Sequence, residues 1–434
     1  MSFVVASLAA APCALAAPLS PFAKGPYLQG LSSHGVVVRA EVDPPAALSV
    51  HVEADARAFD VRDDTPAAMH SVAIEGLAPR TTYRFTATSG AAKSSGSFTT
   101  APPDDDVAPV TFLIYGDNRT DAIRHGAVVR AMVDEPADLL IHTGDFVDDG
   151  GNASNWQSFF DVEAPLLRER CLFSAVGNHE LTEAQGASWL RFFGTARAQA
   201  ERSLNDTVRW GMVRFFFING WGSLASGADR AWLDRALKAS DGEEGVAWRF
   251  LVTHHGPYSS GLHGGNERFQ AGEVEPLLRA HGVSMVISGH DHVYERGASG
   301  MLRYVVSGGG GAPLYPLGPP LPQTRRAASI YHYVRVTVTP TKISLVVKRP
   351  DATQFESASF SASSDRAWDD DAAQVPEKTA PSPAPTVSSP PRASPSPTSC
   401  RCSVPGSPVR GRVPPVAALL LIGIGFARRR LRVA

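Results

Sequence analysis

Thr111-Phe112-Leu113-Ile114-Tyr115-Gly116-Asp117 sets an almost unbroken apolar run directly before a glycine and a carboxylate. A run this short and this apolar is expected of a strand buried on both faces, the habit of parallel strands covered by helices. The same grammar recurs. Residues 138–142 precede Gly144-Asp145, 172–176 precede Gly177-Asn178-His179-Glu180, 249–253 precede His254, and 284–288 precede Gly289-His290-Asp291-His292. Residues 215–218 are a further run of this kind, and 303–307, 331–337 and 342–348 supply later strands. Helical patterns fall between several runs, at 122–134, 156–169, 229–239 and 273–281, so the stretch predicts a layered α/β fold. In such sheets the loops beyond the carboxyl ends of the strands converge. Asp117, Asp145, Asn178, His254, His290 and His292 are thereby candidate ligands for two metal ions. Oxygen and imidazole donors with no thiolate among them suit Zn, Fe or Mn.

The chain has 434 residues, which suggests two or three domains plus linkers. Hydrophobic residues make up 43%, enough for real cores. A net charge of −2 with no long basic stripe before the C-terminus argues against a nucleic-acid binder. Of the cysteines Cys13, Cys171, Cys400 and Cys402, only Cys171 falls in the folded body, which therefore holds no internal disulfide; Cys171 reads as a small buried hydrophobe.

Residues 1–16 are apolar and end Ala14-Leu15-Ala16, the pattern of a cleaved secretion signal, although no Lys or Arg precedes the apolar run; a short core segment is the alternative. Residues 22–103 alternate apolar and polar positions in short runs (36–40, 48–52, 71–74, 82–88, 95–99) between Gly, Pro and Asp, and predict a small β-sandwich. A domain over 108–362 follows. Residues 363–412 are rich in Pro, Ser and Ala and read as an extended linker. Residues 413–434 pair a short apolar helix with Arg428-Arg429-Arg430-Leu431-Arg432. The apolar part spans only about 22 Å, short of a ~30 Å hydrocarbon core.

The five ordered blocks resemble the calcineurin-like metallophosphoesterase superfamily and, within it, the purple acid phosphatases. The resemblance implies a layered α/β/β/α metallophosphoesterase sandwich preceded by a small all-β domain. Leu77-Ala78-Pro79-Arg80-Thr81-Thr82-Tyr83 resembles the Leu-x-Pro-x-Thr-x-Tyr corner of fibronectin type III domains, and Lys24-Gly25-Pro26-Tyr27-Leu28-Gln29 opens a stretch similar to the N-terminal domain of purple acid phosphatases. Carried over by position, Asp117 and His292 hold the first ion, Asn178, His254 and His290 the second, and Asp145 bridges them. A purely structural metal site is the alternative, but a weak amide ligand such as Asn178 suits a Lewis-acidic ion better. In one place the chain departs from the pattern. Asp148 stands where purple phosphatases carry the tyrosine whose charge transfer to Fe(III) gives their colour, so no such band is expected and the metal identity stays open.

Gly144-Asp145-Phe146-Val147-Asp148 is also similar to the Gly-Asp-x-Val-Asp of Ser/Thr phosphatases. On that likeness Asp148 orients His179, which assists departure of the alcohol; the other reading makes Asp148 a turn cap. His263 in the Gly261-Leu262-His263-Gly264 loop is implied as a phosphate donor, against an exposed loop residue. Arg119 is a candidate phosphate partner, against a salt bridge to a carboxylate such as Asp121. Ser307-Gly308-Gly309-Gly310-Gly311 lacks the Lys-Ser/Thr of a P-loop and reads as a close-packed turn. The remaining histidines, His125, His142 and His332 among them, receive no role. The resemblance implies hydrolysis of small-molecule phosphomonoesters by metal-bridged hydroxide. The alternatives are a phosphodiesterase with the same centre and an inactive surface-binding protein. The C-terminus, with Cys400-Arg401-Cys402, resembles the myxobacterial sorting signal, which implies an exported protein anchored at the cell surface or outer envelope; an uncleaved membrane tail is the plainer reading. Substrate and oligomeric state are not legible.

Overall fold

The computed structural model describes residues 22–370 apart from Ala56, Ser223, Ala225 and Ser226. The leader at 1–16 and the linker and tail from 371 onward, with Cys13, Cys400 and Cys402, lie outside the described residues. No helix among the described residues is long and apolar enough to cross a membrane.

Residues 22–99 form an all-β unit of the strands Phe22–Gln29, Gly35–Ala54, Arg57–Glu75, Thr82–Ser89 and Ala92–Thr99. The separate short strands expected at 36–40, 48–52 and 71–74 are corrected here to segments of two long ones. Asp43-Pro44-Pro45 bends Gly35–Ala54 without ending it. The register slips between Glu41 and Leu48, a bulge that accommodates residues lacking an N–H. Before the bend the strand pairs with Phe22–Gln29; after it, with Thr82–Ser89. Val36, Val38 and Ala40 on one side of the bend and Leu48, Val50 and Val52 on the other all enter one core. At the corner, Tyr83 Oη accepts the Ala78 N–H at 3.0 Å and its ring stacks on Phe98. A tyrosine bonded back to the backbone just upstream is the geometry the corner motif requires.

Two sheets make the second unit. One runs in the order Thr324–Ala328, Tyr294–Ser299, Leu302–Ser307, Val283–Ser288, Trp248–Thr253, Val213–Ile218, Asp206–Trp210. The other runs Gln354–Ser361, Lys342–Lys348, Tyr333–Val338, Val110–Tyr115, Leu139–His142, Leu172–Ser174. Side chains alternate across each strand, so every central strand serves two cores. Phe112 and Ile114 face the opposite sheet and meet Phe215, Phe250 and Met285. Leu113 and Tyr115 face outward and are covered by Val128 and Met132 of Ala122–Val133 and Phe159 of Ala153–Leu167. On the other sheet Phe216 and Leu251 are covered by Leu233 and Leu237 of Ala228–Asp241 and Leu278 of Val274–Ala280. The result is the expected α/β/β/α sandwich.

Three expectations shift. The strands Asp206–Trp210, Tyr294–Ser299, Thr324–Ala328 and Gln354–Ser361 and the helices Ala187–Phe193, Ala196–Glu201 and Glu267–Ala271 add to those read from sequence. The packed body continues beyond residue 362, since Trp368 is fully buried against Phe360 and donates to the Gly297 carbonyl at 3.1 Å. The β unit is also bonded firmly to the sandwich. Tyr27 Oη donates to the Phe192 carbonyl at 3.0 Å, and Arg39 donates to the Phe192 and Gly194 carbonyls at 2.9 and 2.8 Å. Cys171 is free and buried, and burial pushes its thiol up to about 12, which makes it inert.

Burial also fixes an acid limit. His332 is fully enclosed, with Nε2 at 3.1 Å from Ser307 Oγ and Nδ1 at 3.0 Å from the Ile330 carbonyl, and burial pushes it down to about 4. The unfolded chain takes up this proton near 6.5, so the stability contribution is complete above 6.5 and is lost as pH falls toward 4. At ~1.4 kcal/mol per pH unit, this side chain alone removes about 3 kcal/mol over that interval. Denaturant unfolding between pH 7 and 4 should show a flatter profile for His332→Gln than for the unaltered chain; identical slopes would refute the assignment.

Candidate metal centre

Every expected ligand stands just past the carboxyl end of a parallel strand. Asp117 follows Val110–Tyr115, Asp145 follows Leu139–His142, Asn178 follows Leu172–Ser174, His254 follows Trp248–Thr253, and His290 and His292 follow Val283–Ser288. Three of them hold a left-handed backbone, with φ of +55° at Asp117, +57° at Asp145 and +72° at His290. Such a conformation costs about 1–2 kcal/mol per non-glycine residue and persists where it turns a side chain to a task. Two glycines make room for the ligands. A Cβ on Gly177 would lie 2.2 Å from Asp145 Oδ1, and one on Gly289 would lie 2.2 Å from Asp117 Oδ2.

The six side chains come together. His254 Nε2 lies 3.3 Å from Asp145 Oδ1, 3.1 Å from Asn178 Oδ1 and 3.2 Å from His290 Nδ1. Ligand atoms of Asp117, Asp145 and His254 all fall within 4.8 Å of one another. His292 Nε2 faces Asp117 Oδ1 at 3.7 Å and is buried without a hydrogen-bond partner. Two imidazoles are fixed from behind: His254 Nδ1 donates to the Thr143 carbonyl at 2.9 Å and His292 Nδ1 to the Pro313 carbonyl at 2.6 Å. That turns each Nε2 inward, as ligation requires.

Electrostatics point the same way. Burial lowers His290, helped by the neighbouring His254, His255 and His263 rings, and lowers His292 to about 4, so both are neutral ligands at neutral pH. Burial opposes a charge on His254 too, but the Asp145 and Asp117 carboxylates outweigh it and push the ring up to about 9. Burial and the Asp145 charge raise Asp117 well above the usual carboxylate range. Two buried carboxylates this close do not both ionise cheaply unless a cation lies between them. Orphaned Nε2, crowded lone pairs and paired carboxylates together fit a pair of divalent ions.

The catalytic candidates are placed less uniformly. His179 is at the site, with Nε2 3.9 Å from Asp145 Oδ2. Its Nδ1 donates to the main-chain carbonyl of Asp148 at 2.6 Å. The expectation that the Asp148 carboxylate orients His179 is therefore corrected. That carboxylate accepts from Arg119 Nη1 and Thr120 Oγ1, each at 3.1 Å. Arg119 pairs with Asp145 as well, at 3.2 Å. The salt-bridge reading for Arg119 thus holds, with Asp145 and Asp148 as partners in place of Asp121, which caps Ala122–Val133 by accepting from the Ile123 and Arg124 N–H groups. His263 is exposed at the rim, its ring 4.5 Å from that of His290. The glycine run packs as a tight turn, with the Gly310 N–H donating to the Gly116 carbonyl at 2.9 Å.

Residues without a role from sequence support this centre. Glu180 accepts from the Gly177, Asp145, Phe146 and Val147 N–H groups at 2.8–3.3 Å and so ties two ligand loops together. Asp291 accepts from the His263 and Gly264 N–H groups and from Ser259 Oγ, which pins the 259–264 loop. A buried chain runs from Glu163 through His125 (2.7 Å) and Asn118 (3.1 Å) to His142 (2.7 Å), whose Nδ1 accepts the Gly144 N–H beside Asp145.

Residues 110–294 match the model of the calcineurin-like phosphoesterase family, so the chain carries a calcineurin-like metallophosphoesterase domain. Purple acid phosphatases 7 and 17 of Arabidopsis thaliana are each 26% identical over 245 and 243 residues, 46% of this chain and 70% and 68% of theirs. The purple acid phosphatase structure from yellow lupin seeds superposes with a TM-score of 0.69 at 18% identity, covering 79% of this chain and 75% of that one. The structure of PhoD superposes with a TM-score of 0.61 at 14% identity, covering 80% and 91%. At these identities the solved structures speak for the fold alone.

Proposed function

We propose that this chain, a phosphoric ester hydrolase by its domain and its relatives, cleaves small phosphomonoesters at two metal ions. Asp117 and His292 would hold one ion and Asn178, His254 and His290 the other, with Asp145 serving both. What carries this reading is the convergence of six donors from five strand ends on one buried spot, with His292 Nε2 otherwise without a partner. When bound, the ions supply the charge that draws in a phosphate and make water a nucleophile near neutral pH. The chain's own residues do the rest. Thr143 and Pro313 carbonyls hold the imidazoles in register, and Glu180 fixes the loops of Asp145 and Asn178. His179, held through Nδ1 by the Asp148 carbonyl, offers Nε2 to the departing oxygen. Arg119 steadies the Asp145 and Asp148 carboxylates, and His263 at the rim would serve as a phosphate donor.

Export, and attachment to the cell surface through 413–434 as a sorting signal, belong to the proposal and rest on sequence pattern, as does a fibronectin III-like identity for the β unit, supported by the Tyr83 corner. Purified protein should contain about two ions of Fe, Zn or Mn per chain and turn over para-nitrophenyl phosphate well ahead of its bis ester. It should be colourless, with Asp148 where a tyrosinate would stand. Faster turnover of the bis ester would replace this reading with a phosphodiesterase, and a purple preparation would overturn the alignment at Asp148.

A further inference from the structure

We propose that Trp221 forms a subsite for a flat aromatic group on the alcohol side of the ester, so that aryl or nucleoside-like phosphates are favoured over small alkyl phosphates. This rests on the reading that phosphate binds at the metal centre. The strand Val213–Ile218 is parallel to Trp248–Thr253 and ends at the same edge of the sheet, yet its loop supplies no metal ligand. It supplies an indole instead. Trp221 is 36% exposed, with its ring centroid 5.1 Å from His290 and 5.6 Å from His255.

Hydrogen bonds fix the chain at 219–221, where the indole is presented. The Trp221 N–H donates to Asn219 Oδ1 at 3.1 Å, and Asn266 Nδ2 donates to the Gly220 carbonyl at 2.9 Å. The Arg268 guanidinium lies over the indole, 5.6 Å from its centroid, and backs it with a cation. From Trp221 the aromatic surface continues without interruption. His290 lies 4.5 Å from His263, His263 lies 5.3 Å from Tyr315, and Tyr315 stacks on His292 at 4.0 Å. The metal histidines are thus bordered by an indole at one end of the row and a phenol at the other.

Phosphate oxygens are served by cations and polar donors, none of which needs an exposed indole. With Trp221 only 5.1 Å from His290, an ester whose phosphate reaches the metal centre would set its organic group beside the indole. A planar group covers apolar surface there and gains the face and edge contacts that aromatic pairs favour. An ethyl group is too small to do so.

The test compares 1-naphthyl phosphate with ethyl phosphate in metal-loaded protein. Trp221→Ala should lower the selectivity for the naphthyl ester, as a ratio of kcat/KM values, by about tenfold, while Trp221→Phe retains most of it. Metal content and the inhibition constant of inorganic phosphate should stay close to those of the unaltered chain. Equal losses for both esters, or no change for either, would overturn the subsite. Failure of the phosphomonoesterase reading would show separately, as no turnover of either ester by the unaltered protein. Calorimetric binding of 1-naphthyl phosphate against inorganic phosphate then decides the subsite: a tenfold loss confined to the naphthyl compound sustains it, and an unaltered ratio rejects it.

Discussion

Asp145→Asn should remove nearly all phosphatase activity and take at least one of the two metal ions with it. The substitution keeps the shape of the side chain and tolerates the left-handed backbone of φ +57°, so folding is not the expected casualty. What it removes is the charge at the centre. Asp145 Oδ1 lies 3.3 Å from His254 Nε2, its Oδ2 accepts from Arg119, and the carboxylate clusters with Asp117 and His254. A neutral amide has neither the second anionic oxygen to share nor the charge to screen two cations from each other. The metal pair stabilises the transition state by several kcal/mol, and each 1.4 kcal/mol is a decade in rate, so the loss should be roughly a thousandfold or more. Elemental analysis and steady-state kinetics on the same preparation check it. The rise in melting temperature on adding metal should shrink as well, because an ion stabilises only the state that binds it. An Asp145→Asn protein with two ions and turnover within tenfold of the unaltered chain would remove Asp145 from the centre.

The candidate ligands were legible because each is announced locally. A strand buried on both faces, a glycine and then a polar residue is a pattern confined to a few positions, and the α/β rule supplies the convergence that spacing cannot. Glycines at 177 and 289 carry their own physical reason, since any side chain there would collide with Asp145 or Asp117. What escaped notice depends on long-range pairing. The Glu163–His125–Asn118–His142 chain joins two helices to a strand-end loop and to the last residue of a strand, and nothing within a few residues of any member marks it. Glu180 was read only as the end of a motif, although four backbone N–H groups converge on it. Asp148 misled for a related reason: a sequence shows side chains, and it is the main-chain carbonyl of Asp148 that holds His179. In the β unit Asp43-Pro44-Pro45 signalled a break, but a bulge absorbed it and the strand ran on. Edge strands such as Thr324–Ala328, TRRAA, carry too little apolar pattern to be seen before their partners are known.

His179→Ala separates catalysis from metal binding. The backbone N–H of residue 179 donates to Asp145 Oδ1 at 3.2 Å, and alanine preserves that bond. The position has φ −72° and ψ −29°, an ordinary right-handed conformation that alanine adopts without strain. Neither imidazole nitrogen is among the atoms that cluster around His254, so both ions should remain. The ring itself, partly exposed and held through Nδ1 by the Asp148 carbonyl, presents Nε2 on the side of Asp145. With Nδ1 committed as a donor, only the imidazolium carries a second proton at Nε2 to give to the leaving oxygen. The variant should therefore lose about 10²–10⁴-fold in kcat with little change in metal content, the range expected of a positioned general acid. The loss should be smaller for para-nitrophenyl phosphate, whose leaving group needs little protonation, than for an alkyl phosphate. Equal losses for both esters would reduce His179 to a structural support, and loss of metal would place it among the ligands instead.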